Sequence, residues 1–156
     1  MTGFRRGARL GIDVGKARVG VARCDPDGLL AVPVETVPRD DATVRRIGEL
    51  AAEYNVVEIL VGLPISLGGG ETASTADARA VADEIAQVTG SPVRLVDERL
   101  STVSAHAALR SSGRSQRSSR KLVDQVAAVV LLQQAIDVEK STGNPAGVLL
   151  DPPEPS

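Results

Sequence analysis

The sequence predicts an α/β protein whose mixed five-stranded sheet is flanked by helices. Three apolar segments near the N-terminus are separated only by the short connections GKA and DPDG, which favours an antiparallel meander. Beyond them, short apolar runs typical of buried strands alternate with helical patterns, as in parallel βαβ units. The 156 residues suffice for one domain with a sizeable core.

Each element is predicted from the periodicity of its hydrophobic residues and from the turn-forming residues at its ends. In chain order the elements are strands Arg9–Val14, Val19–Arg23 and Leu29–Val37, helix Ala42–Tyr54, strand Val56–Val61, helix Thr75–Val88 stopped by Gly90, strand Pro92–Val96, and helices Ser101–Arg110 and Arg120–Asp137. With right-handed crossovers this order matches the ribonuclease H-like fold, although an order match does not establish an activity. We expect the domain to span residues 1–140 and the Pro-rich residues 141–156 to form a disordered or loosely packed tail.

The composition narrows the class of protein. With 42% hydrophobic and 24% charged residues, the chain is typical of soluble globular proteins, and no apolar run suggests a signal peptide or a membrane span. Cys24 is the only cysteine, which excludes an intramolecular disulfide and suits a reducing cytosol. We therefore expect a cytoplasmic protein without a membrane partner. The net charge of −2 selects no partner, so local charge must identify one.

Asp13 interrupts the apolar run of the first predicted strand, in RLGIDVGKARVGVA. Because side chains alternate along a strand, Asp13 shares a face with Gly11 and Gly15, while Leu10 and Ile12 occupy the other face. The two glycines are expected to leave open surface around the carboxylate, as a metal with bound substrate would require. The alternative is that Asp13 caps the turn that follows it.

Two adjacent acids end a later strand, in PVRLVDERLST. Asp97 and Glu98 alternate, so they are predicted to lie on opposite faces of that strand. Either acid could instead cap the helix predicted to begin at Ser101. The strand pattern leaves open which of the two belongs to a site.

Asp124 lies in the first turns of the long helix, in KLVDQVAAVVLLQQAI. This helix is apolar on nearly all sides, so we expect it to be buried. A buried unpaired charge costs several kcal/mol as an order of magnitude, so such a group usually neutralises or binds a cation. The alternative is that Asp124 is simply favourable near the helix N-terminus.

The predicted topology brings Asp13, Glu98 and Asp124 towards one edge of the sheet. Three carboxylates without matching basic partners would repel one another, and divalent cations remove that repulsion. Mg²⁺ or Mn²⁺ suits oxygen ligands, and two such ions about 3.5–4 Å apart can activate water for phosphodiester hydrolysis. A zinc site is not expected, because His106 is the only histidine and is predicted on a helix surface.

A basic, serine-rich segment precedes Asp124 and predicts a clamp for a phosphate backbone. Lys16 and Arg18, in the turn after Asp13, are expected to add phosphate contacts. The alternative for the segment is a solvated surface loop. The glycine-rich VGLPISLGGGETAST is not a Walker A loop and fits an ordinary strand-to-helix connection equally well. The cations of the segment are Arg99, Arg110, Arg114, Arg117, Arg120 and Lys121.

Four motifs in series resemble those of the bacterial YqgF/RuvX family, whose members are described as Holliday junction resolvases and as pre-16S ribosomal RNA nucleases. The motifs are GIDVGKARVGVA, VGLPISLGGG, DERLST and KLVDQVAAVVLLQ, and the resemblance covers roughly Leu10 to Asp137. It implies a ribonuclease H-like fold with Asp13, Glu98 and Asp124 as metal-binding catalytic acids, and so favours Glu98 over Asp97. Arg18 matches the arginine of the family, whereas the lysine that usually precedes it is replaced by Ala17, with Lys16 one position earlier.

We therefore expect a metal-dependent endonuclease that resolves four-way DNA junctions, acting as a homodimer because a junction has two-fold symmetry. The alternative substrate is structured precursor ribosomal RNA, processed at the same site. A non-catalytic nucleic-acid-binding module is disfavoured because all three acids are present. An actin-like nucleotide-binding protein is disfavoured because it needs two such domains, so no nucleotide cofactor is expected.

Overall fold

The computed structural model describes residues 4–66, 68–98 and 116–150, with the side chains of residues 116–124 excepted. In chain order the elements are β1 Arg9–Val14, β2 Arg18–Cys24, β3 Ala31–Pro38, α1 Thr43–Glu53, β4 Glu58–Leu63, α2 Ala73–Thr89, β5 Val93–Asp97, α3 Gln116–Thr142 and β6 Val148–Leu149. The predicted helix Ser101–Arg110 lies outside the described residues. None of the helices in the described ranges is long and apolar enough to cross a membrane.

The strands form one mixed sheet in the order β3-β2-β1-β4-β5-β6. The β1–β2 and β2–β3 pairs are antiparallel, and the β1–β4 and β4–β5 pairs are parallel. The predicted meander followed by parallel crossovers is therefore confirmed. β1 is central, so residues at its end have neighbouring strands on both sides.

The sheet has six strands, so the predicted count of five is corrected. The extra strand, β6, comes from residues within the segment predicted as a tail, and it pairs antiparallel with β5 through Leu95 and Val148. The Leu150 backbone N–H also donates to the Val93 carbonyl at 2.8 Å. Two residues are too few to give a periodic signal in the sequence. This strand forms only because its backbone pairs with the edge of β5.

Helices cover the two faces of the sheet with separate apolar clusters. α1 and α2 pack on the face that carries Leu10, Ile12 and Val61. α3 packs on the other face, where Leu132 and its apolar neighbours meet the sheet. The predicted alternation along β1 is thereby confirmed, and α3 covers the face that carries Asp13.

The helix bounds differ from the predicted ones at some ends. α2 ends where predicted, with Gly90 in the left-handed conformation at φ +68°, and begins at Ala73 after a capping box between Thr72 and Thr75. α3 begins at Gln116, before the predicted start at Arg120, and continues to Thr142. The added turn begins with Gln116 and Arg117, two residue types of good helix propensity, and helix ends predicted from sequence are uncertain by a few residues.

A buried ionic network joins the start of β1 to the end of α3. Arg9 is 2% exposed and donates to Glu139 at 3.2 Å, and Arg5 binds both Glu139 and Glu58. Burial alone raises the pKa of Glu139, but hydrogen bonds and charge from Arg5 and Arg9 outweigh it, so the pKa is lowered overall. This network lies at the opposite end of β1 from Asp13.

Candidate active site

Strand alternation and strand order bring Asp13 and Glu98 together on the α3 face. Asp13 lies near the end of β1, and Glu98 directly follows β5, two strands away across β4. The β1–β4 register pairs Ile12 with Val61, so Gly62 of β4 lies beside Asp13. The carboxyl group of Glu98 lies over Gly62, because a Cβ atom added there would be 2.5 Å from its Oε1 and 2.6 Å from its Cγ.

The Asp13 and Glu98 carboxyl groups are hydrogen-bonded to each other. Burial is the largest cause that raises the pKa of Asp13, and the hydrogen bond and negative charge of Glu98 add to it, so the pKa reaches about 9. An acid–acid hydrogen bond needs one proton between the two groups. Without a cation, the pair therefore holds a proton at neutral pH.

Glycines make room for the pair, although not in the way the sequence suggested. Gly20 of β2 is the cross-strand partner of Asp13, and Gly62 lies on its other side. Gly11, expected to leave open surface, is instead covered, because a Cβ there would lie 2.9 Å from the Cβ of Leu132 and 3.0 Å from the carbonyl of Ala128. Gly11 therefore admits the close approach of α3, and that part of the prediction is wrong.

The structure shows which of the adjacent acids Asp97 and Glu98 lies on the same face of the sheet as Asp13. Val93 and Leu95 face the cluster under α1 and α2, so alternation directs Asp97 to that side of the sheet. Val96 packs under α3, and Glu98 lies on that same side next to Asp13. Of the two, Glu98 belongs to the acidic pair.

Asp124 lies in α3, one helical turn before Ala128, and its side chain is outside the described ones. α3 runs antiparallel to β1, since its Leu132 lies against Gly11 and its Glu139 against Arg9. Moving one turn from Ala128 towards the helix N-terminus therefore moves along β1 from Gly11 towards Asp13. The backbone register is compatible with the predicted third ligand.

The donor set at this edge fits a hard divalent cation. Two carboxylates that must otherwise share a proton supply the oxygen ligands that Mg²⁺ and Mn²⁺ prefer. Among the side chains that the structure describes, no group of three Asp, Glu, His or Cys could hold a metal ion. A third ligand would have to come from outside that set, and Asp124 is the candidate.

The predicted phosphate-binding residues divide into three groups. Lys16 is exposed at the tip of the β1–β2 turn, and Arg18 begins β2 on the same face as Asp13 by strand alternation. Arg117, Arg120 and Lys121 belong to the first turns of α3, and their side chains are outside the described ones. Arg99, Arg110 and Arg114, together with His106, lie outside the described residues.

The glycine-rich loop between β4 and α2 is a compact connection. Ser66 and Gly70 exchange two hydrogen bonds through their backbone and the Ser66 hydroxyl, and Ile65 forms a bridge with Glu71. Thr75 donates its hydroxyl to the Pro64 carbonyl, which ties the loop to the start of α2. The backbone N–H groups of Ser66, Gly69 and Gly70 are all used within the loop, which fits the ordinary-connection alternative.

Comparison with known proteins identifies the family. A family model described as RuvX, Holliday junction resolvase, matches residues 7–138. The chain belongs to the RuvX family. The resemblance carried by the four motifs is thus confirmed.

Relatives of this RuvX-family chain are similar over nearly their whole length. A protein of Clavibacter michiganensis subsp. michiganensis is 56% identical over 94% of this chain and 93% of its own. Proteins of Leifsonia xyli subsp. xyli and Streptomyces coelicolor are 57% and 53% identical, covering 97% and 88% of their own chains. All three are provisionally named as pre-16S rRNA nucleases. The prediction that the chain is a nuclease is confirmed.

The fold is also that of a solved structure. RuvC of T. thermophilus, in complex with a Holliday junction substrate, matches with a TM-score of 0.56 and 18% identity, over 92% of this chain and 99% of its own. At this identity the likeness concerns the fold alone. It confirms the predicted ribonuclease H-like architecture.

Two residues near the RuvX-family site were missed by the sequence analysis. Gly62 provides the space in which Asp13 and Glu98 meet, and its signal was a glycine directly after the apolar run ILV. Arg39 contacts the turn that follows Asp13, through a hydrogen bond to the Gly15 carbonyl. Nothing in the local sequence distinguishes Arg39 from other surface arginines.

Proposed function

We propose that this RuvX-family chain is a divalent-metal-dependent endonuclease that hydrolyses phosphodiester bonds in the precursor of 16S ribosomal RNA. The observation that carries the chemistry is the Asp13–Glu98 pair, two partly buried acids that share a proton over Gly62. The shared proton lies between the two carboxyl groups, and a divalent cation bound there would replace it. The choice of RNA is supported by the names of the curated relatives.

Asp13, Glu98 and Asp124 would hold one or two Mg²⁺ or Mn²⁺ ions. When bound, such ions supply Lewis-acid activation of water and stabilise the charge that develops on the phosphate. The carboxyl group of Asp13 must release its proton for an ion to bind, because its pKa is about 9 in the ion-free pair. Binding of the cation is therefore expected to strengthen as pH rises through the neutral range.

The remaining residues of the proposed site orient the nucleic acid. Lys16, exposed in the turn that follows Asp13, and Arg18, on the Asp13 face, are proposed to bind backbone phosphates. Gly62 leaves the room in which the Glu98 carboxyl group lies beside Asp13, so both acids face the same side of the sheet. The basic segment is proposed to extend the phosphate contacts through Arg99, Arg110, Arg114, Arg117, Arg120 and Lys121.

A four-way DNA junction is the second candidate substrate, and the description of the matching family model favours it. The same acids would perform the same hydrolysis on DNA. A junction has two strands to cut in a symmetric arrangement, so this candidate requires a homodimer with one site per strand. The RNA candidate has no such requirement.

Single-turnover cleavage of end-labelled substrates tests the proposal. The full chain, with Mg²⁺ or Mn²⁺, is compared with Asp13→Asn on a precursor-16S fragment, a four-way DNA junction and a linear duplex. We expect metal-dependent cuts in the RNA that Asp13→Asn abolishes. Symmetric cuts in the junction alone would replace the RNA proposal by the second candidate. Binding without cleavage of any substrate would refute the endonuclease proposal.

A further inference from the structure

The turn between β1 and β2 links the acidic pair to an exposed lysine, Lys16. Gly15, Lys16 and Ala17 form the turn, closed by a hydrogen bond of 2.9 Å from the Gly15 N–H to the Arg18 carbonyl. Gly15 lies only two residues after Asp13. A movement of this turn would therefore change the end of β1, which carries Asp13, and the position of Lys16.

Arg39 holds this turn at both of its ends. Its backbone N–H donates to the Ala17 carbonyl at 3.1 Å, and its Nη1 donates to the Gly15 carbonyl at 2.8 Å. Arg39 directly follows β3, whose last residue, Pro38, pairs with Arg18. Arg39, which follows a different strand, thus binds both carbonyl groups that flank Lys16.

Asp77 of α2 holds the guanidinium of Arg39 in place. Its carboxylate accepts two hydrogen bonds in a bidentate arrangement, at 2.9 Å from Nη1 and 3.0 Å from Nη2. The Arg39 guanidinium in turn lowers the pKa of Asp77, so the carboxylate stays charged at neutral pH. A planar guanidinium can make these two bonds and the bond to Gly15 at once, which a lysine ammonium cannot do in the same geometry.

We propose that Arg39 and Asp77 form a positioning clamp for the turn that follows Asp13. The clamp keeps the end of β1 and Lys16 in the arrangement that the reaction needs; neither residue touches the acids. The proposal deepens the proposed function, and it rests on that function only where cleavage is the readout.

The exposure of the pair argues against a role in stability alone. The side chains of Arg39 and Asp77 are 25% and 41% exposed, and ion pairs this accessible add little to stability because water screens them. Neither residue belongs to the buried cores on the two faces of the sheet. Loss of the clamp should therefore change the rate of the reaction far more than the unfolding of the domain.

The chain offers a matched control on the same helix. Arg79 of α2 binds Glu71 through two hydrogen bonds of 3.1 Å and 3.0 Å, with side chains 42% and 56% exposed. This pair has the same bidentate chemistry, and neither of its two hydrogen bonds involves the β1–β2 turn. Removing Arg79 reproduces the loss of an ion pair from α2 while keeping the side-chain bond to Gly15 that Arg39→Ala removes.

The experiment compares the full chain with Arg39→Ala, Arg39→Lys, Asp77→Asn and the control Arg79→Ala. Hydrogen exchange of a peptide covering the β1–β2 turn is measured by mass spectrometry, together with thermal unfolding. Single-turnover cleavage of the precursor-16S fragment is followed as Mg²⁺ is titrated. For Arg39→Ala we expect faster exchange in the turn and a rate lower by about 10- to 100-fold, since small misplacements of reacting groups cost rates of this order.

Further readouts separate positioning from a structural role. The Mg²⁺ concentration for half-maximal rate should rise in Arg39→Ala, the unfolding temperature should stay near that of the wild type, and Arg39→Lys should not restore the rate. Equal exchange and rates in Arg39→Ala and Arg79→Ala would overturn the proposal, as would a rate loss fully explained by unfolding. If the wild type cleaves nothing, the proposed function fails, and exchange in the turn alone decides whether the clamp exists.

Discussion

Replacing Gly62 by alanine tests the candidate site most directly, because the clash it creates falls on one functional group. The new Cβ would lie 2.5 Å from Glu98 Oε1, 2.6 Å from its Cγ and 2.9 Å from its Cδ. Ordinary van der Waals contact begins at about 3.5 Å, so the Glu98 side chain has to move by roughly 1 Å. The backbone of β4 need not move, since the clashing atoms belong to a flexible side chain.

This displacement should harm the reaction and spare the fold. Glu98 would swing away from Asp13, and a misplacement of about 1 Å in a catalytic group can cost about 100-fold in rate. Replacing a strand glycine by alanine is favourable for stability by about 0.5–1 kcal/mol, which offsets the loss of the Asp13–Glu98 hydrogen bond. We therefore expect Gly62→Ala to cleave about 100-fold more slowly than the wild type while unfolding at the same or a slightly higher urea concentration.

Two other glycines provide controls of opposite character. Gly48→Ala in α1 meets only ordinary contacts, 3.6 Å to Thr89 and 3.7 Å to Val88, so stability should rise slightly and the cleavage rate should not change. Gly11→Ala meets Leu132 and the Ala128 carbonyl of α3, so stability should fall. A wild-type rate and Mg²⁺ requirement in Gly62→Ala would refute the placement of Glu98 in the site.

Three further predictions concern charge. Asp13→Asn should abolish cleavage and stabilise the metal-free protein. The folded-state pKa of Asp13 is raised, so the stability that its protonated carboxyl contributes to the wild type is complete below about pH 4 and is lost as pH rises towards about 9. Unfolding temperatures of both proteins in EDTA should converge near pH 4 and diverge by pH 8, and parallel curves would contradict this. Glu139→Gln should lower the free energy of unfolding in urea by about 3 kcal/mol, because it leaves the buried Arg9 charge poorly paired. The folded-state pKa of Glu139 is lowered, so the stabilisation by its carboxylate is present above the unfolded pKa and is lost as pH falls through the folded value. An acid-unfolding profile unchanged by the substitution would argue against the network. Lys16→Ala should weaken RNA binding in Ca²⁺ uniformly across sequences and lower the salt slope by about 0.7–0.9, and an unchanged slope would exclude a phosphate contact.

The buried network and the acidic pair lie at opposite ends of β1 and use charge in different ways. Arg9 and Glu139 satisfy each other at 3.2 Å, so the chain itself completes that site. Asp13 and Glu98 have the same sign and need a proton or a cation to coexist. Of these two clusters, the Asp13–Glu98 pair is the one that a bound cation would stabilise. The proposed function is therefore assigned to that end of the sheet.

Local sequence was sufficient to predict most of the fold. Alternation placed Leu10 and Ile12 on one face of β1 and Asp13 on the other, and the short GKA connection indicated an antiparallel partner. Gly90 marked the end of α2. These features depend on backbone conformation and on which side chains share a face, and both are set by residues close together in the chain.

Tertiary structure decided which groups meet. Asp97 and Glu98 differ by one position, and only the packing of β5 between α2 and α3 directs Glu98 towards Asp13. The glycine after the apolar run of β4 was visible, but its role comes from a carboxylate that follows the next strand, which the local sequence does not specify. β6 exists only through pairing with β5, and Arg39 matters only because β3 ends beside the β1–β2 turn. The sequence by itself therefore determined the elements and their faces, whereas contacts between residues distant in the chain are fixed only when the strands pair.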